Sequence, residues 1–327
     1  RRYATPHDAS GKKIVTGATS ATPGMGLAFA GFAVFATHDA LIKALGESYS
    51  VFQIIFFATL FSFVPLTITV LTDRKIDTFR PNNPGLVLFR SALMVTSMAT
   101  AFYAFATLPL TEVYSLLFTF PLLVTALSVP LLGEKVRMQR WAAVAVGLVG
   151  VLIVLRPGMT ALSLGHFAAL TAATASALAT ILVRKIGNSE RSAVLILYPM
   201  LVGVLIMGAL QPLVYRPPSL SHLSMMALVG LLSVCAQHLI IQAYRAAPAA
   251  VVAPIQYSQI LWATTFGMVF FGETPDRWVA VGAGIIIASG MFVVWRESRA
   301  NVSARSPVLR TANLRPDAGP SPAPKSL

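Results

Sequence analysis

A handful of ionisable residues interrupt the long apolar runs of this chain, and they are the places where chemistry could be done. His38 and Asp39 stand side by side in one run, Arg90 lies in a second, Glu112 opens a third, and Gln237 with His238 breaks a fourth. A charge at membrane depth costs about 2.5–3.5 kcal/mol or more on insertion scales, so each such group is a candidate for handling a solute or a proton. Each also has a structural reading. Asp39 could pair with Lys43 one helical turn on, Arg90 could snorkel to headgroups, and Glu112 could be a first-turn charge favoured by the helix dipole. His238 could be a satisfied structural group, although Gln237 beside it argues for a polar site. Asp39 and Arg90 do not make a clamp for one small zwitterion: their helix positions put them about 13 Å apart in depth.

Uncharged residues supply a better lining for a ligand cavity. Tyr114 and Phe118 lie one turn apart, and a later run carries Gln256, Tyr257, Gln259 and Trp262. Cavities for small molecules are mostly apolar with a few orienting polar groups. A packing or lipid-facing stripe is the other reading of these rings. No catalytic set emerges. HExxH, GxSG and GxGD are absent, so metalloprotease, serine-protease and aspartyl-protease chemistry in the membrane lacks its motifs, and no metal set or cofactor motif is evident. Without GxxxxGK[ST] there is no recognisable ATP site. Ion gradients, protons among them, or the solute's own gradient are left as driving forces, with His38, Asp39, Glu112 and His238 the candidates to couple a proton.

The elements that must hold these residues follow from composition. Hydrophobic residues make up 56% of the 327 and charged residues 11%, and mean hydropathy is +0.72. A soluble domain carries about 25% charged residues. The solvent for these helices is therefore lipid, and a core of about 30 Å takes about 20 residues to cross. On that ruler the spans run 24–43, 50–71, 84–108, 110–132, 139–155, 163–183, 191–211, 222–244, 248–271 and 278–295, with tight turns opened by Pro109 and Pro248. The expected fold is an all-α polytopic membrane protein of ten transmembrane helices. The small-residue rows Ala168, Ala172, Ser176, Thr180 and Ala280, Gly284, Ala288 are expected to let helices pack closely, and Pro121, Pro199 and Pro254 mark kinks or hinges.

Charge sets orientation. With the N-terminus inside, every one of the 25 Lys and Arg residues except Lys43, Arg90, Arg156, Arg216 and Arg277 falls on the cytoplasmic side, which places both termini in the cytoplasm. The same scatter over loops and tails argues against nucleic acid as a partner, despite a net charge of +13. Cys235, a lone cysteine, excludes an intramolecular disulfide. Residues 1–23 read as a polar cytoplasmic segment with no signal-peptide core. Residues 297–327, rich in Arg, Ser and Pro, read as a disordered cytoplasmic tail. The expected residence is a bacterial inner membrane.

The most informative feature is internal similarity. PLTEVYSLLFTFPLLVTALSVPLLGE from Pro109 aligns without gaps to PAAVVAPIQYSQILWATTFGMVFFGE from Pro248, matching Pro109 to Pro248, Thr125 to Thr264 and Gly133-Glu134 to Gly272-Glu273. After a two-residue gap, Trp141 meets Trp278 and Gly147 meets Gly284. An odd number of spans per copy inverts the second, so residues 24–157 and 163–296 are expected to form two inverted five-helix repeats. Glu134 and Glu273 then close opposite faces, and with Glu112, Pro121 and Pro254 they are the expected structural or gating residues.

In this pattern, where Pro opens a span, Gly-Glu closes it and a Trp-led span follows, the chain resembles the drug/metabolite transporter superfamily of EamA-type permeases. GLAFAGFAVFATHDALIKAL is similar to the family's first helix. The resemblance implies a central cavity and transport of a small organic solute such as an amino acid or vitamin by alternating access. One departure is Ala58, where members often carry a basic residue. A non-transporting receptor or scaffold, or an intramembrane enzyme, is the alternative. Oligomeric state stays open, a homodimer included.

Overall fold

A computed structural model describes residues 22–72, 80–133, 136, 138–158, 161–186, 189–190, 192–247, 249–274 and 276–299. Glu134, Pro248, the expected N-terminal segment before residue 22 and the expected tail from residue 300 lie outside these residues. The described elements are helices: α1 Thr22–Gly46, α2 Val51–Thr72, α3 Pro84–Thr107, α4 Leu110–Leu117, α5 Phe120–Leu132, α6 Met138–Leu155, α7 Leu164–Ile186, α8 Ser192–Val214, α9 Leu220–Ala246, α10 Ala249–Ile255, α11 Gln259–Phe271 and α12 Arg277–Arg299. Among the described residues, eight helical runs are long and apolar enough to cross a membrane, with α4 and α5 together making one of 23 residues. The other two expected spans are α2 and the pair α10–α11, the latter interrupted by a 3-10 turn at Gln256–Ser258.

Local sequence explains where helices start and stop. Pro84 opens α3, where its missing N–H costs nothing. The Ser219 hydroxyl caps α9 by accepting the His222 N–H at 3.2 Å. Gly133 and Gly272 end α5 and α11 with φ of 67° and 62°, a left-handed turn that a Cβ disfavours. The interruption between α4 and α5 follows from Pro121, which has no N–H for the carbonyl of Leu117 and whose ring would crowd it. The helix stops at Leu117 and tightens, with the Thr119 N–H bonding Leu116 O at 3.1 Å. In the later span Pro254 sits inside α10 and the tight turn comes just after it.

Helices pair along small-residue contacts. α1 lies against α9, α3 against α7 and α6 against α12. On α7, Ala172 and Ser176 take the Ser97 hydroxyl of α3, at 2.7 Å to the Ala172 carbonyl and 2.6 Å to the Ser176 hydroxyl. α6 and α12 touch through Gly150 and Gly282, where an added methyl on either would lie within 3 Å of the other's carbonyl. The row Ala280, Gly284, Ala288 expected to pack on α12 faces outward instead, because Gly282, Ile286 and Ser289 occupy the inner side.

Candidate functional site

The bundle centre holds a polar cluster built from α1, α4 and α11. Asp39 is fully buried on α1. His38 meets it through Nδ1 at 2.8 Å from Oδ1, and the Tyr114 hydroxyl donates to Oδ2. Gln259 extends the chain, its Nε2 lying 3.5 Å from the Tyr114 oxygen. A buried carboxylate without such partners would cost several kcal/mol, so the residues that surround Asp39 are what allow it to be there. Lys43 is not among them: the structural alternative, a pairing of Asp39 with Lys43, gives way to His38 and Tyr114, since Lys43 is drawn to another acid at the helix end.

Aromatic rings wall the cluster. Phe35 and Phe102 set their edges against His38, with centroids 6.2 and 5.8 Å away. Phe105 and Phe118 flank Tyr114 at 5.4 and 5.9 Å. Phe118 in turn meets Tyr257 edge to face at 5.0 Å. Those two rings stand at the two helix interruptions, Phe118 just past α4 and Tyr257 within the 3-10 turn before α11. The Tyr257 hydroxyl points to Gly290 of α12, where a side-chain Cβ would sit 2.4 Å from it, and it has no hydrogen-bond partner among the described residues. The neighbouring Gln256 is buried.

Other expected site residues go elsewhere. Arg90 is 2% exposed and donates from Nη1 to the Leu195 carbonyl of α8 at 2.8 Å. It thus stays inside rather than reaching to the surface. Gln237 is half-buried, and its side-chain oxygen meets no donor among the described residues. His238, one residue on, is exposed and contacts Gln242 at 3.3 Å. Trp262 lies tilted against Phe29 at 5.3 Å and Phe266 at 6.0 Å, and Phe270 continues that row to an exposed face.

One end of the bundle is tied by polar contacts. Glu273, following Gly272 at the end of α11, takes Lys43 of α1 at 2.9 Å on one oxygen and the Leu110 N–H of α4 at 3.0 Å on the other. Lys43 also donates to the Leu108 carbonyl at 2.6 Å and lies 5.4 Å from the centre of the Phe271 ring. Gly267 leaves the space this carboxylate needs, because a Cβ there would sit 2.5 Å from Oε2. At the same end Glu112 binds His166 of α7 at 2.9 Å, and Arg156 pairs with Asp276. Tyr49 reaches His222 at 2.9 Å, while Gln53 exchanges two hydrogen bonds with the backbone of Arg216 at 2.6 and 2.9 Å. At the opposite end Asn82 reaches the Ser189 carbonyl, and the Asn83 N–H donates to Glu190 at 2.5 Å.

Sequence reasoning missed Lys43 and His166 as partners of Glu273 and Glu112. A signal was present, since Lys43 ends one span and Glu273 ends another at the same expected depth. Spacing of i, i+4 along one helix points only to the nearer acid.

Comparison with known proteins gives concordant results. The sequence model of the EamA-like transporter family matches residues 22–156 and again 163–295. An S-adenosylmethionine uptake transporter of Rickettsia bellii is 26% identical over 263 residues, 80% of this chain and 90% of that protein. A riboflavin transporter of Rhizobium johnstonii is 26% identical over 221 residues, 67% and 73% of the two chains. A riboflavin transporter of Vibrio cholerae is 27% identical over 225 residues, 68% and 76%. One solved crystal structure superposes with a TM-score of 0.53 at 18% identity, covering 83% of this chain and 95% of the other, a likeness of fold.

Proposed function

Since the chain belongs to the EamA-like transporter family and is a multi-pass membrane transporter of a small metabolite, we propose that it works by alternating access through two inverted five-helix halves, residues 24–157 and 163–296. On this reading α2 and the α10–α11 pair complete ten crossings. Support comes from features at corresponding places in the two copies: the left-handed Gly133 and Gly272, and interruptions that both give way to a new helix, at Phe120 and at Gln259. Interrupted helices at the midplane are where membrane transporters place their sites.

The observation that carries the reading is the buried group of His38, Asp39, Tyr114 and Gln259 lying between those interruptions under a wall of rings. A flat heteroaromatic solute suits that wall by stacking, with the polar group orienting it. S-adenosylmethionine and riboflavin, which the relatives are named for, both have such a ring system, and this chain is proposed to take a solute of that class. His38 and Asp39 together offer a site where a proton exchanges against the solute. Arg90, Gln237, Gln256 and Tyr257 are proposed to act on the path, and Glu112, Glu134, Glu273, Pro121 and Pro254 in gating.

With both termini cytoplasmic, as the charge distribution suggests, the tied end faces outward. Lys43, Glu273 and the turn at Leu108–Leu110 form the outer clasp. Two copies would work side by side rather than share a cavity, because each chain encloses its own polar group.

The test is counterflow. Purified protein in liposomes should exchange radiolabelled S-adenosylmethionine or riboflavin, or another flat metabolite from a panel, and a proton gradient should drive accumulation. Flux of none of them under either polarity would defeat the transport reading of this site. Flux that ignores the gradient and persists in Asp39→Asn would defeat the proton role alone.

A further inference from the structure

α9 uses one side of its surface to pack. Ala236, Leu239, Ile240, Ala243 and Ala247 lie against the glycines of α1, and Gly230 lies against the backbone of α2 at Ala58 and Ser62. The other side carries Leu228, Leu231, Cys235, His238, Gln242 and Arg245, separated alternately by three and four residues. Leu228 and Leu231 are 44% and 51% exposed, and Cys235, His238 and Arg245 are exposed too. Exposure runs from the third turn to the last, so it does not come from a vestibule open at one end of the bundle. This side faces out of the bundle.

That spacing is a heptad seam, the pattern with which a helix meets a parallel copy of itself. His238 lies five residues beyond the middle of this 27-residue helix, about 8 Å along the axis, so it sits within the hydrocarbon rather than at its edge. Its contact with Gln242 at 3.3 Å uses one nitrogen of each side chain. Among the described residues the other imidazole nitrogen and the Gln242 oxygen have no partner, and lipid tails offer none. An occupant with donors and acceptors at that depth would satisfy both.

We propose that the occupant is a second copy of this chain, docked through α9 across a two-fold axis normal to the membrane. Copies inserted in the same orientation run α9 parallel to α9, so each residue of the seam meets its own counterpart. Imidazole and carboxamide each carry both a donor and an acceptor, which makes His238 and Gln242 self-complementary under that symmetry. Leu228 and Leu231 pack beside them. Arg245, at the helix end, reaches to the headgroups, where its long stem lets two like charges splay.

Cys235 lies on this seam and is the chain's one cysteine, so the unmodified protein carries its own probe. Copper-phenanthroline oxidation of native membranes should give a disulfide-linked homodimer of the full chain. With Cys235→Ser and Gly284→Cys, which moves the thiol to the exposed side of α12, the crosslink should vanish. Replacing His238 or Gln242 by Leu should weaken the monomer–dimer equilibrium in detergent about threefold to twentyfold, the range for an interhelical hydrogen bond in a membrane. His238→Asn, which keeps a donor and an acceptor, should restore most of it, and a monodisperse elution profile checks that each variant is folded. Three results would overturn the proposal: no dimer from Cys235, a dimer only from Gly284→Cys, or a crosslink from Cys235 to a species of another mass.

Discussion

Replacing Glu273 by Gln isolates the charge of the proposed outer clasp. Gln keeps an oxygen for the Leu110 N–H and nearly the same shape in the space left by Gly267, but the attraction to Lys43 is lost. The two side chains are 14% and 17% exposed, so water screens the pair only in part. A hydrogen bond to a charged group contributes about 1.5–3 kcal/mol. Taking about 2 kcal/mol, the balance between closed and open outer ends moves about 30-fold toward open. Thr111, which faces Thr264 of α11 at 3.3 Å next to the clasp, can report this as Thr111→Cys in a Cys235→Ser background. The rate of labelling by a membrane-impermeant maleimide from outside should rise about 30-fold with Glu273→Gln. Lys43→Met should have a similar effect, and the double variant should be no worse than either. Equal rates in parent and variant would refute the clasp, and fully additive effects would show that the two residues act on separate contacts.

Asp39→Asn should abolish proton-driven accumulation and flatten the pH profile of uptake while leaving membrane insertion intact, as read by counterflow and by expression level. Gly290→Ala should destabilise the protein by about 1–3 kcal/mol through the Tyr257 hydroxyl, and Tyr257→Phe should rescue it, as followed by thermal unfolding in detergent. Gly150→Ala, meeting the Gly282 carbonyl at 2.9 Å, should cost a similar amount with no single rescuing partner. Asp276 titrates below its usual 3.8, first because the Trp278 N–H donates to it and then because Arg156 lies beside it. A lowered carboxyl pKa gives a contribution that is complete above 3.8 and fades only as pH falls through the lower value. Asp276→Asn should therefore leave the shape of the uptake profile between pH 5 and 8 unchanged, and a profile that changes there would contradict that assignment.

Helix extents were largely legible because span length is a property of the bilayer rather than of tertiary contacts. The expected span 84–108 and α3 at Pro84–Thr107 differ by one residue, and 163–183 and α7 at Leu164–Ile186 by a turn. The interruptions were legible only as prolines. Pro121 could be flagged, but whether a chain bends, tightens or restarts there depends on what packs around Phe118. Outward and inward faces were the weakest point. In lipid both sides of a helix are apolar, so neither the Ala280, Gly284, Ala288 row nor the neighbouring Gln237 and His238 revealed which way it points. Long-range partners were hidden for another reason. Spacing along one helix makes Asp39 and Lys43 look like a pair, whereas the fold offers Lys43 an acid from the far end of the sequence and Asp39 a phenol from α4.

The notch at Gly290 marks where the two copies have grown apart. One ring carries an oxygen, Tyr257, and the facing helix has given up a side chain to receive it. At the matching positions of the other copy the ring is the bare Phe118, and Ile153 stands in place of the glycine. Under the proposed inversion, the inward and outward states exchange the surroundings of these two sites. Because the two copies differ there, the two orientations are not bound to be equal in energy even with no solute present and no gradient imposed.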